Sequence, residues 1–217
     1  MPSVSALWTY PLKSAAGIAV DSFELDRFGP VGDRRWMLVD DNRRFVSQRE
    51  DASLVRIRAV PEADGLRLQL DDAGLTVPVP EGGSLTEVVI WEDRVRAADA
   101  GDDAAGWLSE ALGRSLRLVY MADASYRYVD GRYASSGETV SFADGFPLLL
   151  ISSAALAELN AKLSAPVGMD RFRPNLVVDG CEPHAEDAWK RIRIGDVVFE
   201  VAKPCARCVV PSIDQHS

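Results

Sequence analysis

The chain has 217 residues, 47% of them hydrophobic and 26% charged, with a formal net charge of −9. This length and composition predict one large or two small hydrophobic cores and argue against intrinsic disorder. The negative charge argues against general binding to nucleic acid, and three cysteines argue against a secreted disulfide scaffold.

The chain also lacks the usual signs of a membrane or secreted protein. Its longest apolar run, FPLLLI, is too short to span a bilayer. The first segment, MPSVSALWTYPLKS, does not have the basic region and apolar stretch of a signal peptide. We therefore predict a cytoplasmic protein that binds neither membrane nor nucleic acid.

Strand patterns dominate the chain. RWMLVDDNRRFVSQ and then LRLQLDDAGLTVPV each have two β-rich arms around polar residues, which is typical of a β-hairpin. Further β-rich segments follow in VVIWEDRVRAA, SLRLVY, NLVVDG and RIRIGDVVFEVA, the last with a bend at Gly195 and Asp196. These patterns predict a mainly β protein.

Two segments have helical spacing instead. In DAAGWLSEALG the apolar residues recur as on one helix face, with Asp103 able to cap the start and Gly113 able to end it. In SSAALAELNAKL, either Ser152 or Ser153 can supply the N-cap. The predicted apolar stripe of this second helix consists of Leu156, Leu159 and Leu163. The fold class is therefore α+β, mainly β with short helices.

A long polar stretch, MADASYRYVDGRYASSGETVSFADG, separates the two parts of the chain. Its length and polarity predict an excursion or an active-site lid. We place the domain boundary just before it, with one domain at 1–118 and a second domain at 119–217.

Basic residues stand in short turn-rich segments, where binding sites are usually built. Lys13 and Ser14 follow a strand directly and precede a small-residue turn, so that an ammonium, a hydroxyl and backbone N–H groups share one place. Arg34 and Arg35 start a strand, where alternation predicts one side chain inward and the other outward. The inward arginine needs an anionic partner, either Asp33 or a bound oxyanion.

The segment MDRFRPNLVVDG repeats this arrangement. Arg171 and Arg173 lie two residues apart and share a face if the backbone is extended. Pro174 restricts the backbone, and Asn175 can offer an amide donor to a ligand. The basic and hydrogen-bonding side chains of these segments would all be satisfied by a bound oxyanion.

The segment KPCARCVV holds two of the three cysteines, Cys205 and Cys208. A zinc site lacks a second Cys-x-x-Cys, and a thioredoxin-type dithiol lacks the helix that should follow. A thiolate stabilised by Lys203 and Arg207 is compatible with a soft transition metal, but other ligands must supply the remaining sulfur. From the residues alone these alternatives stay open.

Several of these segments together resemble MOSC-domain proteins, in which an N-terminal MOSC β-barrel domain precedes the MOSC domain, a group that includes the mitochondrial amidoxime-reducing components and their bacterial relatives. The matching stretches run in the family order from about residue 4 to residue 210. They are YPLKS, GDRRWMLVD, FVSQRE, FADGFPLLLIS, LAELNAKL, RFRPNLVVDGCEPHAEDAWKRIRIGD and KPCARCVV.

The resemblance implies a molybdenum cofactor (Mo-molybdopterin) between the two domains. It implies that Cys208 is the metal ligand and the catalytic residue, because the pterin dithiolene supplies two sulfurs and a protein cysteine supplies another. The implied cofactor-binding residues are Lys13, Ser14, Arg34, Arg173, Asn175 and Arg207. Cys205 belongs to the pocket wall with Arg207, Cys181 is expected to be structural, and His184 to lie on the surface.

The activity that the resemblance implies is reduction at nitrogen. An N-hydroxylated small molecule, such as a hydroxylamine or an amidoxime, yields an amine or an amidine and water. The electrons must come from a separate electron-donor protein, because the sequence has no iron–sulfur cysteine cluster. Two other classes remain, a non-catalytic molybdenum-cofactor or sulfur carrier and an interaction domain without a cofactor.

The chain departs from the family after its last cysteine. Family members usually continue with a segment like TTVDP.TG and further strands, whereas VVPSIDQHS follows Cys208 here, with Asp214 as the match to the acidic residue. From this difference we expect the second domain to be incomplete at its C-terminus, with unpaired edge strands.

Overall fold

A computed structural model describes residues 1–82, 84–134 and 137–216. Within them it has fifteen short strands and two α-helices, α1 (Asp102–Leu112) and α2 (Ser153–Asn160). The strands are β1 (Ser3–Thr9), β2 (Ile18–Val20), β3 (Leu25–Asp26), β4 (Gly29–Pro30), β5 (Trp36–Val39), β6 (Arg58–Glu62), β7 (Gly65–Leu70), β8 (Ala73–Pro78), β9 (Leu85–Ile90), β10 (Asp93–Asp99), β11 (Arg117–Tyr120), β12 (Leu150–Ser152), β13 (Leu176–Asp179), β14 (Arg191–Ile194) and β15 (Val197–Glu200). The predicted fold class, mainly β with short helices, is confirmed.

The core of the molecule lies on both faces of one antiparallel sheet with the order β5-β11-β10-β9. All four residues of β5 are buried, and because side chains alternate along a strand they feed two clusters. Trp36 and Leu38 pack with the β6-β7-β8 sheet and α1, whereas Met37 and Val39 pack with residues of β9 and β10. A strand buried on both faces explains why its sequence is continuously apolar.

A mixed sheet with the order β12-β13-β1-β2 joins distant parts of the chain. Strand β1 pairs antiparallel with β13, so that Leu7 lies opposite Leu176. Because the strands run in opposite directions, the end of β1 meets the start of β13. The segment after Thr9 and the segment before Leu176 are therefore neighbours.

Most of the predicted elements are present. The hairpins β7–β8 and β14–β15 form as expected, and the segment VVIWEDRVRAA, predicted only as β-rich, contains the turn of a further hairpin, β9–β10. The first predicted hairpin is reduced to β5 and a single bridge between Val39 and Phe45. Gly113 ends α1 in the left-handed conformation, but Gly101 stands at the N-cap, not Asp103. Ser152 caps α2 by accepting a hydrogen bond from the Ala155 backbone N.

The apolar stripe predicted for α2 is wrong. Leu159 and Leu163 are 37% and 41% exposed, and Ala155 is the buried residue of the helix. The helix ends at Asn160 after eight residues, so the 163 position lies beyond it. Because this short helix packs through one small residue, Leu159 is exposed and Leu156 is only partly buried.

No helix among the described residues is long and apolar enough to cross a membrane. The cytoplasmic location and the domain boundary at residue 118 stay predictions.

Candidate functional site

One cleft of about 1360 Å³ brings the predicted site residues together. It lies where the segment after β1 meets the segment before β13, with the cysteine-containing segment along another side. All seven predicted residues line it, namely Lys13, Ser14, Arg34, Arg173, Asn175, Arg207 and Cys208. Their common location agrees with a single site, while the role of each residue stays a prediction.

Lys13 is held in the wall of the cleft by its backbone and its ammonium. The backbone N of Lys13 donates to the carbonyl oxygen of Trp36, at the start of β5. Its Nζ donates to Asp144 Oδ1 at 2.7 Å, although the lysine is 6% exposed and the carboxylate side chain 73%. Burial lowers the pKa of Lys13 to about 8, because Asp144 offsets only part of the desolvation. Below that pH Lys13 is mainly an ammonium and keeps its pair with Asp144.

This lowered pKa predicts how stability depends on pH. Between about pH 8 and 10.5 the unfolded chain still holds the Lys13 proton that the folded chain has released. The free energy of unfolding should therefore rise with pH in this window, by roughly 3 kcal/mol. Urea unfolding at several pH values measures the rise, and the Lys13→Met variant should lack it. An identical pH slope in both proteins would contradict the assignment to Lys13.

Two arginines share one aromatic ring. The guanidinium carbons of Arg34 and Arg173 lie 4.4 and 4.3 Å from the ring centroid of Tyr10. The Tyr10 hydroxyl donates to the Pro174 carbonyl oxygen at 3.0 Å, and burial raises the pKa of Tyr10 to about 12. The uncharged Tyr10 ring therefore makes favourable cation–π contacts with both guanidinium groups and leaves their positive charges uncompensated.

The charges of the two arginines are unequally compensated. Arg34 forms an ion pair with the buried Asp33, which raises the pKa of Arg34 against the opposing effect of burial. Arg173 Nη1 donates to the Ala15 carbonyl oxygen at 2.6 Å, but its Nη2 is buried without a hydrogen-bond partner. Burial lowers the pKa of Arg173 to about 10, so that it remains charged at neutral pH. An unpartnered buried donor of this kind is suited to an oxyanion.

The backbone at this site is strained. Ser14, Arg34 and Arg173 have φ angles of 67°, 49° and 55°. Residues with a Cβ rarely adopt the left-handed conformation, which costs roughly 1 to 2 kcal/mol per residue. Such strain tends to be retained at functional sites. Three of the seven predicted residues show it.

Asn175 is fully engaged within the protein. Its Nδ2 donates to the Trp8 carbonyl oxygen at 3.1 Å and to Asp33 Oδ1 at 3.2 Å. Its Oδ1 accepts from Arg34 Nη1 at 3.1 Å and from the Leu149 backbone N at 3.2 Å. Asn175 therefore orients Arg34 and has no amide hydrogen left for a ligand.

The segment that contains Cys205 and Cys208 lies in irregular, exposed backbone. Arg207 Nη1 donates to Cys205 Sγ at 3.4 Å, and its Nη2 donates to the Phe172 carbonyl oxygen at 3.3 Å. Cys208 Sγ accepts from the Val210 backbone N at 3.5 Å. The guanidinium thus contacts the first cysteine, while a backbone donor contacts the second.

The prediction that one of Arg34 and Arg35 points outward is wrong, since their side chains are 12% and 7% exposed. The left-handed backbone of Arg34 breaks the strand alternation. Arg35 turns to a different set of groups, donating to Asp123 Oδ1 at 2.7 Å and to the Met121 carbonyl oxygen at 2.8 Å.

Sequence reasoning missed three residues of the site. Asp144 pairs with Lys13, Tyr10 supports the two arginines, and Gln48 donates from Nε2 to the Ser14 carbonyl oxygen at 2.8 Å. All three stand in segments noted above, YPLKS, FADGFPLLLIS and FVSQRE, but the sequence of these segments did not indicate which residues they contact.

Other expectations concern residues outside this cluster. His184 is exposed, as expected, and Cys181 is partly buried. The polar stretch 121–145 contributes Tyr126 and Tyr133 to the cleft, although its Ser135 and Ser136 lie outside the described residues. Among residues 1–82, 84–134 and 137–216, no three His, Cys, Asp or Glu side chains are grouped as metal ligands.

Two family models match the chain. The model described as MOSC N-terminal beta barrel domain matches residues 1–115, and the model described as MOSC domain matches residues 137–217. Together they account for nearly the whole sequence.

Curated proteins from several organisms are similar over almost the entire chain. Mitochondrial amidoxime-reducing component 1 of Mus musculus is 33% identical over 224 residues, which cover 98% of this chain and 66% of that protein. Mitochondrial amidoxime reducing component 2 of Rattus norvegicus is 31% identical, covering 98% of this chain and 67% of that protein. Molybdenum cofactor sulfurase of Oryza sativa subsp. japonica is 32% identical, covering 96% of this chain and 28% of that protein. The chain thus spans about two thirds of the amidoxime-reducing components.

Proposed function

Because the chain belongs to the family that combines a MOSC N-terminal beta barrel domain with a MOSC domain, we propose that it is a molybdenum-cofactor-binding oxidoreductase. Its proposed substrates are N-hydroxylated small molecules, hydroxylamines and amidoximes, which it reduces to amines or amidines. The similarity to amidoxime-reducing components supports the reaction, and the sulfurase relative supports the cofactor.

The observation that carries this proposal is the unpartnered Nη2 of Arg173 beside Arg34 and Lys13. The molybdenum cofactor ends in a phosphate, and a buried guanidinium without a carboxylate of its own fits such a group. Ser14 would add a hydroxyl, and Arg207 a further cation at the rim of the cleft. Asn175 would act through Arg34, whose guanidinium it orients.

Cys208 fits the metal end of the same cofactor. Cys208 lines the cleft and is exposed, so that a thiolate formed there could reach a metal. When bound, the molybdenum centre supplies a two-electron reduction, in which an N–O bond is cleaved and two protons complete the amine and water. The protein holds and orients the cofactor for that chemistry.

Electrons would come from a separate donor protein. The sequence has three cysteines, and a four-cysteine iron–sulfur cluster would need one more even if Cys208 were one of its ligands. We also retain the division into domains 1–118 and 119–217 as a proposal, supported by family matches that end at residue 115 and resume at residue 137.

Metal analysis combined with a reductase assay tests the function. Protein made in a host that synthesises molybdenum cofactor should contain about one molybdenum per chain, because it has one thiolate ligand and one basic cluster. With a chemical reductant it should convert benzamidoxime to benzamidine. Protein without molybdenum from such a host would contradict the proposal.

A second function is favoured by the relative named molybdenum cofactor sulfurase. In it, the exposed Cys208 would belong to a non-catalytic carrier of the cofactor or of sulfur. Protein that contains molybdenum, reduces no N-hydroxylated compound and transfers its cofactor to an acceptor enzyme would support this function over the first.

Replacing Arg173 with methionine should weaken cofactor retention roughly ten- to a hundredfold, because it removes a charge-assisted contact. The fold should survive, since the guanidinium has no carboxylate partner in the described part of the chain and its burial is unfavourable. Molybdenum content after gel filtration and the thermal midpoint of the cofactor-free protein measure the two effects.

Arg171→Met is the matched control for Arg173→Met. Arg171 lines the same cleft but its Nη2 already pairs with Asp214 Oδ2 at 2.9 Å, so its loss should leave retention nearly unchanged. If Arg173→Met unfolds the protein, or if Arg171→Met has the larger effect on retention, the assignment of Arg173 is wrong.

A further inference from the structure

A second cavity of about 800 Å³ opens beside the main cleft. The two share wall residues, among them Phe45, Trp91, Asp144 and Phe146, so the second cavity is a side arm of the first. We refer to this side arm as the aromatic groove. None of the predicted cofactor-binding residues lines it.

Trp91 occupies an unusual place in the wall of the aromatic groove. Trp91 and Glu92 form the two-residue turn between β9 and β10, since the flanking Ile90 and Asp93 are paired. Trp91 has a φ of 55°, at a position where glycine or asparagine is normally favoured. A bulky residue in this conformation is strained, and such strain is a sign of function. The conformation of this turn does not require an aromatic side chain at position 91, so the indole needs another explanation.

The indole is surrounded by aromatic and cationic groups. Phe45 meets it edge to face, with ring centroids 4.6 Å apart. The guanidinium carbon of Arg49 lies 4.3 Å from the Trp91 ring centroid, and Lys13 Nζ lies 5.7 Å from it. Lys13, which lines the main cleft, therefore lies close to the indole of the aromatic groove. A stacked guanidinium keeps the N–H donors around its edge free for a ligand.

A second aromatic pair with its own cation borders the two cavities. Phe146, which lines both, and Tyr133, in the main cleft, have ring centroids 6.0 Å apart. Lys203 Nζ lies 4.8 Å from the Tyr133 centroid and 5.6 Å from that of Phe146. In the described ranges of the chain, neither Arg49 nor Lys203 forms an ion pair. Both cations are therefore available to a ligand.

The acidic residues of the aromatic groove do not cancel this charge. Asp93 is paired with Arg127 at 2.8 Å and Asp130 with Arg132 at 2.6 Å. Asp144 is paired with Lys13. Among the described residues, the charged groups of this wall that form no ion pair are the cations Arg44, Arg49 and Lys203 and the acids Glu50 and Glu92. Aromatic surface with an excess of cations favours a flat ligand that bears a negative charge.

We propose that the aromatic groove binds the organic part of the substrate and selects planar aromatic N-hydroxylated compounds that carry a carboxylate. Trp91 supplies the aromatic contact, and Arg49 and Lys203 attract the carboxylate. This inference rests on the proposed function, because it names the substrate class of the same site. Trp91, Arg49 and Lys203 are specificity-determining residues in it.

The test compares three amidoximes that differ in charge at one position. They are benzamidoxime, its 4-carboxylate and its 4-trimethylammonium derivative, with kcat/KM measured for each. The carboxylate should exceed the cationic compound by about tenfold, and added salt should reduce this ratio, because the two cations are exposed. The double variant Arg49→Gln and Lys203→Gln should bring the ratio close to one.

Matched variants separate specificity from stability. Arg67→Gln removes an exposed cation from β7, outside both cavities, and should leave the ratio unchanged. Trp91→Gly fits the left-handed turn without strain and should raise KM for all three compounds about fivefold or more. Trp91→Phe keeps an aromatic ring and should restore most of the loss.

A binding measurement without reductant distinguishes this inference from the proposed function. Calorimetric titration of the cofactor-loaded protein with the carboxylate and the cationic amidoxime gives both dissociation constants when no turnover takes place. Preferential binding of the carboxylate without reduction of any compound would overturn the proposed function alone. Equal affinities and equal kcat/KM values for the three compounds would overturn the aromatic groove as the selecting site.

Discussion

Replacing Cys208 with serine is expected to lower N-reductive turnover by at least about a hundredfold, because an alcohol is a poor replacement for a thiolate on a soft metal. Steady-state reduction of benzamidoxime, with molybdenum content measured on the same preparation, gives the result. Molybdenum content should fall less than activity, because the residues proposed to hold the phosphate end, Arg173, Arg34 and Lys13, are unchanged.

Cys205→Ser is the matched control for Cys208→Ser. Cys205 lies three residues away on the same exposed segment and accepts a hydrogen bond from Arg207, which serine can also accept. This variant should retain at least part of the activity. Loss of turnover in Cys205→Ser together with normal turnover in Cys208→Ser would show that the ligand has been assigned to the wrong cysteine.

Replacing Asp33 with alanine should lower the free energy of unfolding by about 3 to 5 kcal/mol, the usual result of breaking a buried ion pair. Asp33 is 1% exposed and pairs with Arg34. Its Oδ1 also accepts from the Tyr10 backbone N at 2.8 Å and from Asn175 Nδ2 at 3.2 Å. Without it, one charge and two buried donors lose their acceptor. Urea unfolding measures the change.

Two further variants calibrate the effect of Asp33→Ala. Asp33→Asn keeps the shape and one acceptor, so it should cost less and provide a folded variant if alanine does not. Arg94→Ala breaks the exposed pair with Glu87 and should change stability by about 1 kcal/mol or less. A change at Asp33 no larger than that at Arg94 would mean that water replaces the lost acceptor.

Local sequence features predicted the regular elements well, because their causes lie within a few residues. The hairpin turn at Gly195 and the left-handed end of α1 at Gly113 depend on the conformational freedom of glycine. The cap at Ser152 depends on a hydroxyl three residues from its donor. The position of Leu159 could not be predicted, because it depends on what packs against α2.

The site was only partly predictable for the same reason. Short motifs and the resemblance to a family indicated Lys13 and Arg173 as binding residues. The partner of Lys13 is Asp144, 131 positions further along the chain, and no local pattern points to it. The left-handed backbone of Arg34 also breaks the alternation on which its predicted direction relied. Which carboxylate neutralises which cation is decided only when distant parts of the chain come together in the fold.

The pairing of β1 with β13 has a consequence for how the protein forms. Leu7 and Leu176 lie opposite each other, so this contact closes a loop of most of the chain. Loops of this length close slowly, and folds dominated by such contacts fold slowly. During synthesis at about 5 to 20 residues per second, β1 waits on the order of ten to thirty seconds for its partner. Throughout that interval the Tyr10–Ser14 segment has no Arg173 beside it, so the proposed phosphate site is assembled late, after most of the polypeptide has left the ribosome.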